Sequence, residues 1–219
     1  MYDIVSLGEL LVDFTECGVS EAGMRLFEQN AGGAVTNLLC AAARCGAKTA
    51  FIGKVGTDMH GRFLKNTLLD AGVDLHALIE TDAVFTTLAF VALSPNGERE
   101  FSFARKPGAD TCLSAGELDV GLLRSTRVFH TGSLSLTQEP ARSATYEAVD
   151  IARAAGAVIS YDPNYRASLW KSRGEASRFM RSLVSTADIV KISDEELPLL
   201  TGETEPESAA ASLIDQGVR

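Results

Sequence analysis

Polar and charged side chains gather in this sequence where runs of apolar residues end. Asp13 lies just past the run Asp3-Ile4-Val5-Ser6-Leu7-Gly8. Gly32-Gly33 opens a segment of small residues that carries Asn37. Gly132-Ser133 follows Val128 to Thr131, Asp162-Pro163-Asn164-Tyr165-Arg166 follows Ala157 to Tyr161, and Lys191 to Glu196 closes the last such run. Paired glycines before a helix expose backbone N–H groups and let a ligand come close. Asp13 and Asn37 together offer acceptors and donors suited to vicinal hydroxyls. Taken singly, each has an ordinary reading: a turn before a helix for Gly32-Gly33, a solvated loop acid for Asp13, and a turn after a strand for Asn164 and Arg166. Asp194-Glu195-Glu196 alone reads as the charged first turn of a helix. Together they point to one rim.

The elements that must build this rim follow from apolar period and punctuation. Residues 3–8 read as a buried strand, 34–45 as a helix stopped by Gly46, and 48–53 as the next strand, which makes a βαβ unit. Thr57-Asp58 caps a helix running to Ala71. Phe85 to Leu93 and Glu98 to Phe103 read as a hairpin around Ser94-Pro95-Asn96-Gly97, the one clear hairpin in the chain. Strands are expected at 128–132, 157–161 and 188–192, with helices at 140–155, 174–184 and 207–216. The alternation implies an α/β fold, a mostly parallel sheet flanked by helices on both faces. In open sheets of this kind, ligands bind outside the carboxyl ends of the strands. The hairpin breaks the alternation and is expected, with residues 10–30, as a small antiparallel β lid outside the main sheet. The chain ends at Asp215-Gln216-Gly217-Val218-Arg219. A strand follows such a helix stop in most earlier units, so the fold is expected to be cut in mid-domain here.

Composition narrows the function. The 219 residues carry 20 Lys and Arg against 29 Asp and Glu, a net charge of −9, which gives no electrostatic reason to bind nucleic acid or an anionic membrane. No apolar stretch reaches membrane-spanning length, and Met1-Tyr2-Asp3 opens no leader pattern, so a cytoplasmic location is expected. Cys17, Cys40, Cys45 and Cys112 form no C-x-x-C pair, and His60, His76 and His130 are scattered, which argues against zinc. No P-loop, G-x-G-x-x-G or G-x-S-x-G motif occurs.

The chain resembles the ribokinase-like (phosphofructokinase B) family of carbohydrate kinases, and bacterial fructokinases in particular. The resemblance runs along the whole chain and is densest at S-L-G-E-L-L-V-D-F-T, L-F-E-Q-N-A-G-G-A-V-T-N, F-I-G-K-V-G-T-D-M-H-G-R-F-L, F-S-F-A-R-K-P-G-A-D, H-T-G-S-L-S-L, Y-D-P-N-Y-R-A-S-L-W and I-V-K-I-S-D-E-E-L-P-L-L-T-G. Gly32, Gly33, Asn37, Gly46 and Gly56 fit the spacing of the family's N-terminal signature. The resemblance implies a ribokinase-like fold over residues 1–219 with a lid from about 10–30 and 85–108. It also implies transfer of the γ-phosphoryl group of ATP, with Mg²⁺, to a hydroxyl of a small sugar, fructose first.

By the same resemblance Asp13, Gly32, Gly33 and Asn37 hold the sugar, Phe101 and Phe103 cover it, and Arg105 stands at the base of the lid near it. Asn164 and Arg166 approach the transferring phosphate and Lys191 the nucleotide phosphates. Ser193 and Glu196 match the family's N-x-x-E element, with Ser in place of Asn and Glu196 organising magnesium through water. The family's base, an Asp in a G-A-G-D motif, has no counterpart among these residues; the resemblance places it after Arg219 with most of the adenine pocket. A homodimer through the lid is implied as well. The competing readings are a 2-keto-3-deoxygluconate kinase or ribokinase of the same family, a non-catalytic sugar-binding or dimerising protein, and an unrelated dehydrogenase, which lacks its glycine fingerprint here.

Overall fold

The computed structural model describes residues 1–93 and 99–219. The expected turn Ser94-Pro95-Asn96-Gly97 lies outside the described residues. The strands are β1 (Tyr2–Leu7), β2 (Leu11–Val19), β3 (Arg25–Gly32), β4 (Thr49–Gly56), β5 (Leu78–Thr81), β6 (Leu88–Leu93), β7 (Arg99–Ala104), β8 (Thr126–Gly132), β9 (Val158–Asp162) and β10 (Ile189–Val190). The α-helices are α1 (Ala34–Arg44), α2 (Met59–Asp70), α3 (Val120–Arg124), α4 (Ala141–Ala154), α5 (Arg173–Val184), α6 (Leu197–Leu200) and α7 (Pro206–Asp215).

Six strands form a parallel sheet in the order β10-β9-β8-β1-β4-β5. Alternation along β1 sends Val5 and Leu7 to one face and Ile4 to the other. On the first face Val5 and Leu7 pack with Phe129 and Ile159 under Ala144 and Ala148 of α4 and Met180 of α5. On the second, Phe51 and Val55 pack under Val35 and Leu39 of α1 and Leu64 and Leu68 of α2. Helix ends follow the punctuation of the sequence. The Asp58 carboxylate accepts from the His60 and Gly61 amides at 2.9 and 3.0 Å to start α2. Gly46, Gly72 and Gly156 take positive φ just past α1, α2 and α4.

The lid is a separate four-stranded sheet, β3-β2-β6-β7. It is mixed rather than antiparallel. The β2–β3 and β6–β7 pairs are antiparallel, but β2 and β6 run parallel, with Val12 opposite Leu88 and Phe14 opposite Phe90. Both central strands leave the main sheet in the same direction, so the two hairpins join in parallel. Residues 10–30 join the lid, as expected, and do so as a β2–β3 hairpin whose strand limits the sequence did not mark. The hairpin turns through residues 20–24 and carries a bulge between Glu16 and Gly18. Its strand β3 is exposed along most of its length, so its sequence carries no two-residue apolar period. The expected strand at 188–192 is reduced to Ile189–Val190.

Candidate active site

The carboxyl ends of β1, β8 and β9 open into a cavity of about 300 Å³ that the lid overhangs. Its inner wall is the junction of β1 and α1. Gly33 has φ +123°, and a Cβ there would collide with the Glu9 carbonyl oxygen, so only glycine brings α1 this close to the end of β1. Asn37 projects into the cavity from the first turn of α1, and Asp13 from β2. A Cβ on Gly32 would strike the Asp13 carboxylate, so the small residue lets that carboxylate lie against the backbone. Burial pushes the Asp13 carboxyl above its usual range, and the positive charge of Arg166 opposes the shift.

Two-residue alternation in the lid decides what faces the cavity. Asp13, Ala89 and Phe103 are paired across three strands and share a face, as do Thr15, Val91 and Phe101. Phe101 and Phe103 stack at 6.2 Å and roof the cavity. Opposite the Asp13 wall, the chain leaving β9 supplies Asp162, Asn164 and Arg166. Asn164 has φ +45°, and its amide donates to Asp162 Oδ1 at 3.2 Å, a tight turn that aims both side chains outward from the sheet. The Arg166 guanidinium lies 5.6 Å from the Phe101 ring and ties this wall to the lid. Lys191 Nζ stands 3.2 Å from Asp162 Oδ2 at the mouth. One end therefore presents a carboxylate and an amide, suited to hydroxyls, and the other presents Arg166 and Lys191, suited to phosphate oxygens.

Residues 1–219 match the profile of the pfkB family carbohydrate kinases from end to end. The chain belongs to this family. Among its relatives is Fructokinase-1 of Oryza sativa subsp. japonica, 49% identical over 201 residues, which cover 91% of this chain and 62% of that protein. Fructokinase-2 of Solanum lycopersicum is 45% identical over 95% of this chain and 64% of its own length. The chain thus spans less than two thirds of the curated relatives it matches. The crystal structure of fructokinase from Xylella fastidiosa superposes with a TM-score of 0.90 at 35% identity, covering 98% of this chain and 70% of that one. The same enzyme with bound ATP superposes at 0.89.

Of the residues the pfkB resemblance singles out, Asp13, Gly33, Asn37, Phe101, Phe103, Asn164, Arg166 and Lys191 all line the cavity. Gly32 sits directly behind Asp13. Arg105 does not reach it. Its side chain is 1% exposed, bound through Nη2 and Nε to Asp110 at 2.6 and 2.8 Å and through Nη1 to Thr137 at 2.8 Å. It also donates to the carbonyl of Leu134, which does line the cavity, so Arg105 holds the wall rather than the ligand. Ser193 and Glu196 lie behind the wall as a clamp. The Glu196 carboxylate is buried and accepts from the Tyr165 amide at 2.6 Å and from Ser193 N and Oγ, each at 2.8 Å, which ties the turn after β9 to the turn before α6. Glu9, Ala34 and Leu134 line the cavity without having been singled out, and Asp162, from the run expected on the rim, lines it as well. Glu9 had a signal, a carboxylate between Gly8 and an apolar run where no capping or turn role is evident in the sequence.

Proposed function

We propose that these residues form the sugar- and phosphate-binding part of a fructokinase, which transfers the γ-phosphoryl group of ATP to a hydroxyl of fructose. The observation that carries the reading is the division of one cavity into a hydroxyl-binding wall, with Asp13, Gly33 and Asn37 under Phe101 and Phe103, and a cationic mouth with Arg166 and Lys191. In-line phosphoryl transfer needs a fixed alcohol and donors facing the transferring oxygens, and the two ends supply one each. That the relatives are fructokinases by name supports fructose as the sugar.

For ATP the fit is good at the phosphates, where Asn164, Arg166 and Lys191 supply donors. For magnesium it is indirect. No group of three or more His, Cys, Asp or Glu is gathered to hold a metal among the described residues. Three donors already occupy Glu196, which leaves one lone-pair position on Oε1 toward a metal-bound water. Magnesium would neutralise charge on the phosphates. The base is assigned to the G-A-G-D aspartate of the family, which these residues do not contain. These 219 residues by themselves are therefore expected to bind sugar without turning it over.

We assign dimerisation to the far face of the lid. Phe14 and Phe90 stack there at 5.3 Å, Phe27 meets Phe90 edge-on, and Phe27 and Phe90 are about 40% exposed. A second copy of the lid would cover these apolar side chains. Calorimetric titration with fructose, 2-keto-3-deoxygluconate and ribose tests the sugar. Fructose is expected to bind tightest, and absence of binding by all three overturns the reading. An ADP-release assay on a family-length chain with fructose and MgATP tests the transfer.

A further inference from the structure

Glu9 stands where β1 ends, and its side chain turns back under the start of α1. Helix α1 has no cap of its own. Its N-cap residue is Gly33, and its first turn holds no acidic residue. Glu9 supplies the cap from 25 residues earlier, its Oε1 accepting from the Ala34 amide at 2.8 Å. Capping carboxylates ordinarily stand at the surface, where water satisfies the second oxygen. Here the residue is 1% exposed, and Oε2 is buried and accepts no hydrogen bond from any other described residue, with the Glu9 amide itself the one further backbone donor near the carboxylate. A buried polar atom left in this state costs roughly 1–3 kcal/mol, so its retention calls for a partner. Glu9 lines the same cavity as Asp13 and Asn37, on the wall suited to hydroxyls.

We propose that Glu9 is a further sugar-binding residue, whose Oε2 accepts a hydrogen bond from a hydroxyl of the sugar while Oε1 caps α1. One carboxylate then performs two tasks: it holds the helix that carries Asn37 and reads the ligand that Asn37 binds. This rests on the sugar-site reading above. The charged groups around Glu9 are Arg105 and Asp110 behind it, Asp13 on β2, and Asp162, Arg166 and Lys191 across the cavity. Among these influences burial dominates and pushes the Glu9 carboxyl up to about 7. An ionised acceptor makes the stronger bond to a hydroxyl, so sugar binding tightens as pH rises through this value.

The test is a calorimetric titration of the protein with fructose at pH 6, 7 and 8, without nucleotide. Because the apparent affinity scales with the ionised fraction, the parent is expected to bind up to roughly tenfold more tightly at pH 8 than at pH 6. Glu9→Gln keeps an oxygen for the Ala34 amide but removes the charge. It should weaken binding at pH 8 by roughly tenfold and flatten the pH profile. Equal affinity and an equal pH profile in parent and variant overturn the proposal, because any pH dependence surviving the substitution belongs to a group other than Glu9. A parent that binds fructose with no change between pH 6 and 8 overturns it too, even where the variant does not fold. A cooperatively melting parent that binds no fructose at any pH overturns the sugar-site reading and this proposal with it.

Discussion

At the scale of single residues, the cavity depends on side chains that are present and on one that is absent. Asp13 is a half-buried carboxylate on the wall suited to hydroxyls. Asp13→Ala removes a charged acceptor and is expected to weaken fructose binding by roughly 1–3 kcal/mol, read by calorimetry, with the melting temperature nearly unchanged. Gly33→Ala acts by addition. The new methyl meets the Glu9 carbonyl and forces a left-handed residue to carry a Cβ, so α1 must move away from β1. Both sugar binding and melting temperature should fall, and loss of one without the other would argue against the geometry. The paired glycines were legible in the sequence because no other residue type so plainly marks close approach. Glu9 left only a faint signal, because its partner, the Ala34 amide, lies on another element and its burial exists only once α1 is folded over it.

At the scale of elements, the base of the lid is held by a buried ion pair. Arg105 and Asp110 each have side chains 1% exposed, and Asp110 also accepts from Thr87 Oγ1 at 2.5 Å. The carbonyl of Thr87 in turn accepts from the Val12 amide, so the pair anchors the place where β2 and β6 leave the core. Arg105→Met leaves Asp110 charged and uncompensated and should cost about 3–5 kcal/mol in unfolding free energy. Adding Asp110→Leu should recover much of that loss in denaturant melts, a recovery that a ligand-contact role for Arg105 would not produce. The family resemblance implied the ligand role, and the sequence could not correct it, because a lone Arg after an aromatic strand looks the same whether its guanidinium turns to the cavity or to an acid five residues on. The hairpin at Leu88–Ala104 was legible from its alternation and turn residues. Residues 10–30 were legible as part of the lid, but the limits of β3 were hidden, because Arg25, Glu28 and Asn30 interrupt any apolar period on a strand exposed along most of its length. The parallel pairing between the hairpins depends on where both chains leave the main sheet, which no local pattern records.

For the whole molecule, the parallel sheet and its two helical layers followed from the alternation of elements, while the order of the strands and the acid sensitivity of the core did not. His130 is 2% exposed on β8, with Nδ1 3.0 Å from Ser160 Oγ and Nε2 without a partner among the described residues. Burial lowers its pKa to about 4 from the ordinary 6.5. The unfolded chain therefore takes up the proton first as pH falls, and stability should drop between pH 6.5 and 4 and level off below. His130→Asn should lose this part of the slope relative to the parent, measured as melting temperature against pH. The difference isolates His130 from the Asp74–His76 pair elsewhere on the surface. If the lid face joins two copies, light scattering will give a dimer at micromolar concentration, and Phe90→Glu will give a monomer that still binds fructose. No helix among the described residues is long and apolar enough to cross a membrane.

The parallel seam of the lid also sets an order of assembly. Val12 finds Leu88 only after α1, β4, α2 and β5 have folded the intervening chain back. A seam with so distant a partner brings no return until that loop is closed, so it forms late, whereas β6–β7 can pair locally and early. In pulsed hydrogen exchange during refolding, the amides of β1 and β4 should gain protection before those of β2 that face β6. The cavity, whose Asp13 wall and phenylalanine roof are joined through that seam, would be among the last parts of the protein to exist.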